Sequence, residues 1–103
     1  MAGETRRAHE RFDCSLDVVL RLEDGRELHG RSRNVSLGGM RLELGQSVPY
    51  GTTGTLRVRL PALKEPAELP CTVRWCAQGD VGVQFGSLRP IEVWAINQIA
   101  RGA

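Results

Sequence analysis

A mainly β fold is what this sequence predicts: a six-stranded antiparallel β-barrel followed by a C-terminal α-helix. Three observations carry that expectation. Apolar and polar residues alternate in six separate runs, turn-forming Gly, Pro and Asp residues divide those runs with no helical stretch between them, and a helical period appears only after about residue 88. Strands of this kind each have one apolar face to bury, and closing them on one another covers those faces and removes exposed edges.

The elements follow in order. Leu16, Val18, Leu20 and Leu22 alternate with Asp17, Val19 and Arg21, the period of a half-buried strand, and Asp24-Gly25 then signals a hairpin turn. A second strand spans Glu27–Val35 and ends at an Asn-x-Ser loop. Met40, Leu42 and Leu44 alternate with Arg41 and Glu43 in a third, before a loop over 45–54 that contains Pro49. Leu56, Val58 and Leu60 make a fourth strand, which Pro61 ends. After Pro66, the alternation of Leu69, Cys71, Val73 and Trp75 makes a fifth and points Trp75 into the barrel; facing outward, the same ring would offer a stacking surface. Gly79-Asp80 serves as the turn into a sixth strand with Val81, Val83 and Phe85. Over 88–100, Ile91, Ala95 and Ile99, joined by Trp94, form the apolar stripe of an amphipathic helix, with Pro90 in its first turn and Gly102 at its end.

At 103 residues the chain is one domain, and 41% hydrophobic against 25% charged residues is the balance of an ordinary globular protein. The first eleven residues are polar and charged, unlike a signal peptide, and no apolar run approaches the length of a membrane span, so a cytoplasmic protein without membrane insertion is expected. Three cysteines, Cys14, Cys71 and Cys76, have neither disulfide-framework number nor C-x-x-C spacing and read as free thiols. His9 and His29 have no acid and nucleophile in a catalytic order, and no paired carboxylates or metal-ligand cluster stand out. The chain is therefore read as a non-enzyme without a metal or cofactor.

The net charge of +2 conceals an uneven distribution, since segments 6–11 and 26–41 carry +2 and +3 and the remainder carries −3. A nucleic-acid binder neutralises many phosphates and spreads its basic excess more widely. Positive charge confined to two segments suits a small anion. No nucleic-acid partner is expected.

Those segments contain two short polar signatures: Arg6 followed by Arg7-x-x-x-Arg11, and Asn34-x-Ser36-x-x-Gly39. Guanidinium forks grip phosphate oxygens in bidentate fashion and match the adjacent O6 and N7 acceptors of a guanine edge. Asn34 adds an amide, Ser36 a small hydroxyl, and Gly39 a position where backbone can approach a flat ligand. Read together, they describe a site for a guanine-bearing phosphate ligand.

The order Arg-Arg-x-x-x-Arg, strand hairpin, Asn-x-Ser-x-Gly-Gly, three further strands with Val73-Arg74-Trp75 and Val81-Gly82-Val83-Gln84-Phe85, then a helix, resembles the PilZ domain family over about residues 6–99. The resemblance implies a bacterial protein that binds the second messenger cyclic di-GMP on a barrel flanked by a helix. It places Arg7 and Arg11 on a flexible N-terminal segment, residues 1–12, that folds over the ligand, ahead of a barrel domain over 13–103. Arg6 matches a variable position where a further basic residue is compatible with an intercalated ligand pair. Asn34, Ser36 and Gly39 match the Asp/Asn-x-Ser-x-x-Gly motif, whose first two residues read the guanine. Asn34 replaces the commoner Asp, and the loss of one acceptor is expected to cost about 1 kcal/mol of affinity.

The function expected is that of a single-domain receptor that binds cyclic di-GMP, orders its N-terminal segment and passes the signal to a downstream protein. The alternative is a nucleotide-independent interaction domain of a motility or pilus system.

Overall fold

The computed structural model describes residues 10–102. Arg6 and Arg7 lie outside the described residues. Seven strands and one helix follow one another: β1 Phe12–Asp13, β2 Asp17–Leu22, β3 Glu27–Val35, β4 Gly39–Glu43, β5 Thr53–Val58, β6 Ala67–Ala77, β7 Asp80–Phe85 and α1 Pro90–Ala100. The sheet order β3-β2-β5-β6-β7-β4 closes through a β3–β4 pairing, so six antiparallel strands form the barrel, and the two-residue β1 adds to the end of β3.

Alternation along each strand does the packing. Leu20, Met40, Leu42, Leu56, Leu69 and Val81 are each at most 1% exposed, and they meet inside the barrel with Leu60, Val73 and Ile96. Burial of this apolar surface at roughly 25 cal/mol per Å² is the main stabilising term. Ser32 is a polar residue buried within this shell, and every polar atom of its side chain is used. Its hydroxyl donates to the Cys14 carbonyl and accepts from the Leu16 amide, tying the β1–β2 connection to β3. The three cysteines are free, and burial pushes the Cys71 thiol up to about 11.

Two local expectations are corrected. The β6–β7 turn is centred on Gln78 and Gly79, not on Gly79-Asp80, because both residues have positive φ (55° and 87°), which gives the twist a two-residue hairpin requires. The helix also presents a different stripe. Glu92, Ala95 and Ile96 are buried and Ile99 is half-buried, whereas Ile91 and Trp94 remain 48% exposed. Ala95 and Ile99 face inward as expected, while Glu92 and Ile96 take the places of Ile91 and Trp94, a turn of the inward face by about 70°. Its first position is a carboxylate made tolerable by Arg89: Glu92 accepts from the Arg89 amide at 2.8 Å and from both Nε and Nη2 of the same arginine. No helix among the described residues is long and apolar enough to cross a membrane.

Candidate functional site on the barrel wall

Two interruptions of the ladder create the site. Between β3 and β4 the register shifts so that Ser32 faces Leu42 but Asn34 faces Arg41, leaving Arg33 as an extra residue. Between β6 and β7 it shifts again, so that Val73 faces Val83 but Trp75 faces Gly82, leaving Arg74 extra. One added residue reverses the in-out alternation beyond it. Trp75 is consequently 43% exposed on the outer wall, which corrects the expectation that it points into the barrel.

The same shifts align Asn34, Arg41, Gly82 and Trp75 as one row running across four adjacent strands, β3, β4, β7 and β6. Together with Arg11 these residues line a cleft of about 360 Å³. Arg11 Nη1 donates to Asn34 Oδ1 at 2.8 Å, which brings a residue of the first signature onto a residue of the second across 23 positions of sequence. Pairing of Phe12 with Val35 and of Asp13 with Asn34 holds the chain just after Arg11 against β3, so the arginine is delivered to the cleft by backbone hydrogen bonds. Across the row, the Arg41 guanidinium stacks on Trp75 with Cζ 4.5 Å from the ring centroid, and Arg41 Nη2 donates to Asp80 at 3.1 Å.

Ser36 and Gly39 stand beside this cleft without lining it. Ser36 is 4% exposed, and its Oγ accepts from the amides of Gly38 and Gly39 at 3.0 and 3.2 Å while its own amide donates to the Gly39 carbonyl. Gly39 sits where a Cβ would lie 2.1 Å from the Val83 carbonyl oxygen, so β4 can approach β7 at this point only without a side chain. These two residues shape the tight end of β3–β4 from which Asn34 and Arg41 project.

The charge read from the sequence is largely paired. Arg26 meets Asp24, Arg31 meets Asp17, Arg33 meets Glu43 and Arg41 meets Asp80, so the 26–41 segment presents less open positive charge than its composition suggests. Arg11 instead donates to a neutral amide. A larger groove of about 670 Å³, lined by Arg21, Thr53, Thr72, Arg74 and Gln84 among others, holds none of the ligand-binding residues expected from the sequence.

Arg41, Gly82 and Trp75 are the cleft residues not among the expected ligand contacts, Trp75 having been considered only as a stacking surface if it faced outward. The two bulges that build the cleft left a signal in the spacing, whereas Arg41 and Gly82 stand at regular outward positions of β4 and β7. Ser32 and Val35 both face inward, as do Val73 and Cys76, and residues three apart share one face of a strand only when an extra residue intervenes.

Fold and cleft define a small antiparallel barrel with a filled interior whose outer wall carries the shaped polar surface. The chain belongs to the PilZ domain family, whose model matches residues 5–101. PilZ domains are a receptor fold for cyclic di-GMP, not a catalytic one. In sequence the chain is 36% identical over 86 residues to the UDP-forming cellulose synthase catalytic subunit of Xanthomonas axonopodis pv. citri (strain 306), a match covering 82% of this chain and 12% of that protein. In structure it is similar to the Bacillus subtilis inhibitor of motility MotI/DgrA, with a TM-score of 0.74, 26% identity, and coverage of 94% of this chain and 51% of that one. Escherichia coli YcgR in complex with c-di-GMP aligns with a TM-score of 0.77 and 17% identity over 94% of this chain and 45% of that one, a likeness of fold. The chain thus spans about half or less of these relatives.

Proposed function

We propose that this chain is a receptor domain for cyclic di-GMP that holds the dinucleotide on the outer wall of its barrel and passes the signal to a partner protein. The observation that carries the reading is the Arg11–Asn34 hydrogen bond, which joins the two signatures in one cleft beside an exposed aromatic ring. In this reading Arg6, Arg7 and Arg11 grip phosphates and guanine edges and Asn34 reads a guanine, while Ser36 and Gly39, beside the cleft, hold the β3–β4 turn that presents Asn34. The chain up to Arg11 acts as the arm that folds over the ligand, anchored where β1 pairs Phe12 with β3 on the barrel domain, and the closed arm becomes a surface that a partner recognises. A bacterial second messenger implies a cytoplasmic site of action. The pairing of arginines 26, 31, 33 and 41 with carboxylates supports a small-ligand site over a nucleic-acid surface.

Titration calorimetry with cyclic di-GMP tests the proposal and reads the number of ligands bound. Binding at micromolar concentration is expected, with Arg7→Ala and Arg11→Ala each losing at least about tenfold, the weight of a charge-assisted hydrogen bond. Absence of heat for the unaltered chain would sink it.

A second reading, a nucleotide-independent interaction domain of a motility or pilus system, is favoured by the open apolar surface of Ile91 and Trp94 on α1. Capture of a partner with equal strength in the presence and absence of the dinucleotide would support this second reading over the first.

A further inference from the structure

Arg41 occupies the centre of the cleft's row and belongs to neither signature. Gly82, opposite it on β7, has no side chain to stand between the guanidinium and Trp75. The indole therefore supports one face of the guanidinium at 4.5 Å, and Asp80 holds one of its edges at 3.1 Å. Its plane is set by both contacts, while 41% of the side chain's surface stays open, so the face turned away from the indole is left to the cleft.

One atom of this residue is out of balance. Arg41 Nε is buried and has no hydrogen-bond partner, the sole buried side-chain nitrogen or oxygen in that state among the described residues. An unsatisfied buried donor costs about 1–3 kcal/mol and calls for an explanation. Asp80 satisfies a neighbouring nitrogen of the same group and leaves Nε open. Nε itself is closed off, so what the cleft offers a ligand is the open face of the guanidinium.

We propose that Arg41, backed by Trp75 and pinned by Asp80, is a ligand-contacting residue: its open face stacks on one guanine of the dinucleotide. The inference rests on the cyclic di-GMP reading above and adds a contact outside both signatures. A planar guanidinium stacks on a purine, whereas an ammonium does not, so the role is specific to arginine. Trp75 acts through Arg41, as the support that holds the guanidinium in place.

The test is a double-mutant cycle in the full chain, titrated with cyclic di-GMP: unaltered protein, Arg41→Lys, Trp75→Leu and the pair. Arg41→Lys is expected to weaken binding about tenfold, the scale of one base stack, at unchanged melting temperature. Trp75→Leu is expected to weaken it several-fold, and the double variant to bind no more weakly than Arg41→Lys alone, because the ring's contribution passes through the arginine. Trp75→Phe keeps an aromatic support and is expected to restore most of the affinity, which covers the case of a leucine variant that folds poorly. Unaltered binding by Arg41→Lys would overturn the inference, as would independent, additive losses. Failure of the unaltered protein to bind would instead remove the receptor reading on which the inference stands, so the two failures are separate results.

Discussion

The β2–β5 wall of the barrel and the wall formed by β3, β4, β7 and β6 are made from the same kind of alternating strand, yet they present opposite surfaces. Along β2–β5 and β5–β6 the register runs without interruption, and outward charges face one another, as Arg57 does Glu68 across β5–β6 and Arg21 does Glu27 across the neighbouring β2–β3 ladder. Along the other wall, the extra residues Arg33 and Arg74 turn an amide and an indole outward and set an arginine between them. Charges are paired on both walls, Arg21 with Glu27 on the regular one and Arg33 with Glu43 and Arg41 with Asp80 on the other. A ladder broken twice collects groups with open hydrogen-bonding and stacking capacity.

The sharpest way to break the comparison is through the glycines of the bulged wall. Gly39→Ala would place a Cβ 2.1 Å from the Val83 carbonyl oxygen and is expected to cost about 3 kcal/mol or more in denaturant unfolding. Gly82→Ala would meet Trp75 at an ordinary 3.4 Å and is expected to cost about 1 kcal/mol or less. Equal costs would show that close strand approach does not govern this wall.

The next effect concerns Cys71 on the regular β5–β6 ladder. Burial raises its thiol from 9.0 to about 11, so between those values the unfolded chain releases a proton that the folded chain keeps. Stability from this group is present below pH 9 and falls as pH rises through the window, by about 3 kcal/mol in all. Unfolding free energies compared with those of Cys71→Val over the same pH range isolate the effect, because valine has no proton to lose.

A smaller change sharpens the chemistry of the cleft. Asn34→Asp adds an acceptor for the guanine N1 and N2 donors and is expected to tighten cyclic di-GMP binding about fivefold, equivalent to about 1 kcal/mol, in the same titration. The smallest effect belongs to the regular wall. Arg57→Ala, exposed opposite Glu68, is expected to change stability by less than about 0.5 kcal/mol and to leave ligand affinity unaltered.

Much of this fold was legible in the chain. The second strand spans Glu27–Val35 in both readings, and the Asp24-Gly25 hairpin has Gly25 at φ 94°. Local alternation and turn chemistry act over a few residues, so they leave direct marks in sequence. The stripe of α1 was misplaced because Glu92 reads as a solvent-facing carboxylate until Arg89 is seen to clamp it. Trp75 was turned the wrong way for a related reason: alternation counts residues, and an added residue is visible only where the partner strand fails to keep count.

By itself the sequence determined the strand and turn order, the family resemblance and the residue types able to meet a guanine and a phosphate, since each depends on side-chain chemistry at near spacing. Only the tertiary structure decided which of those groups meet. The Arg11–Asn34 contact spans 23 positions and Arg41–Asp80 spans 39, and each depends on strand pairing and register, which barrel closure and two bulges set together.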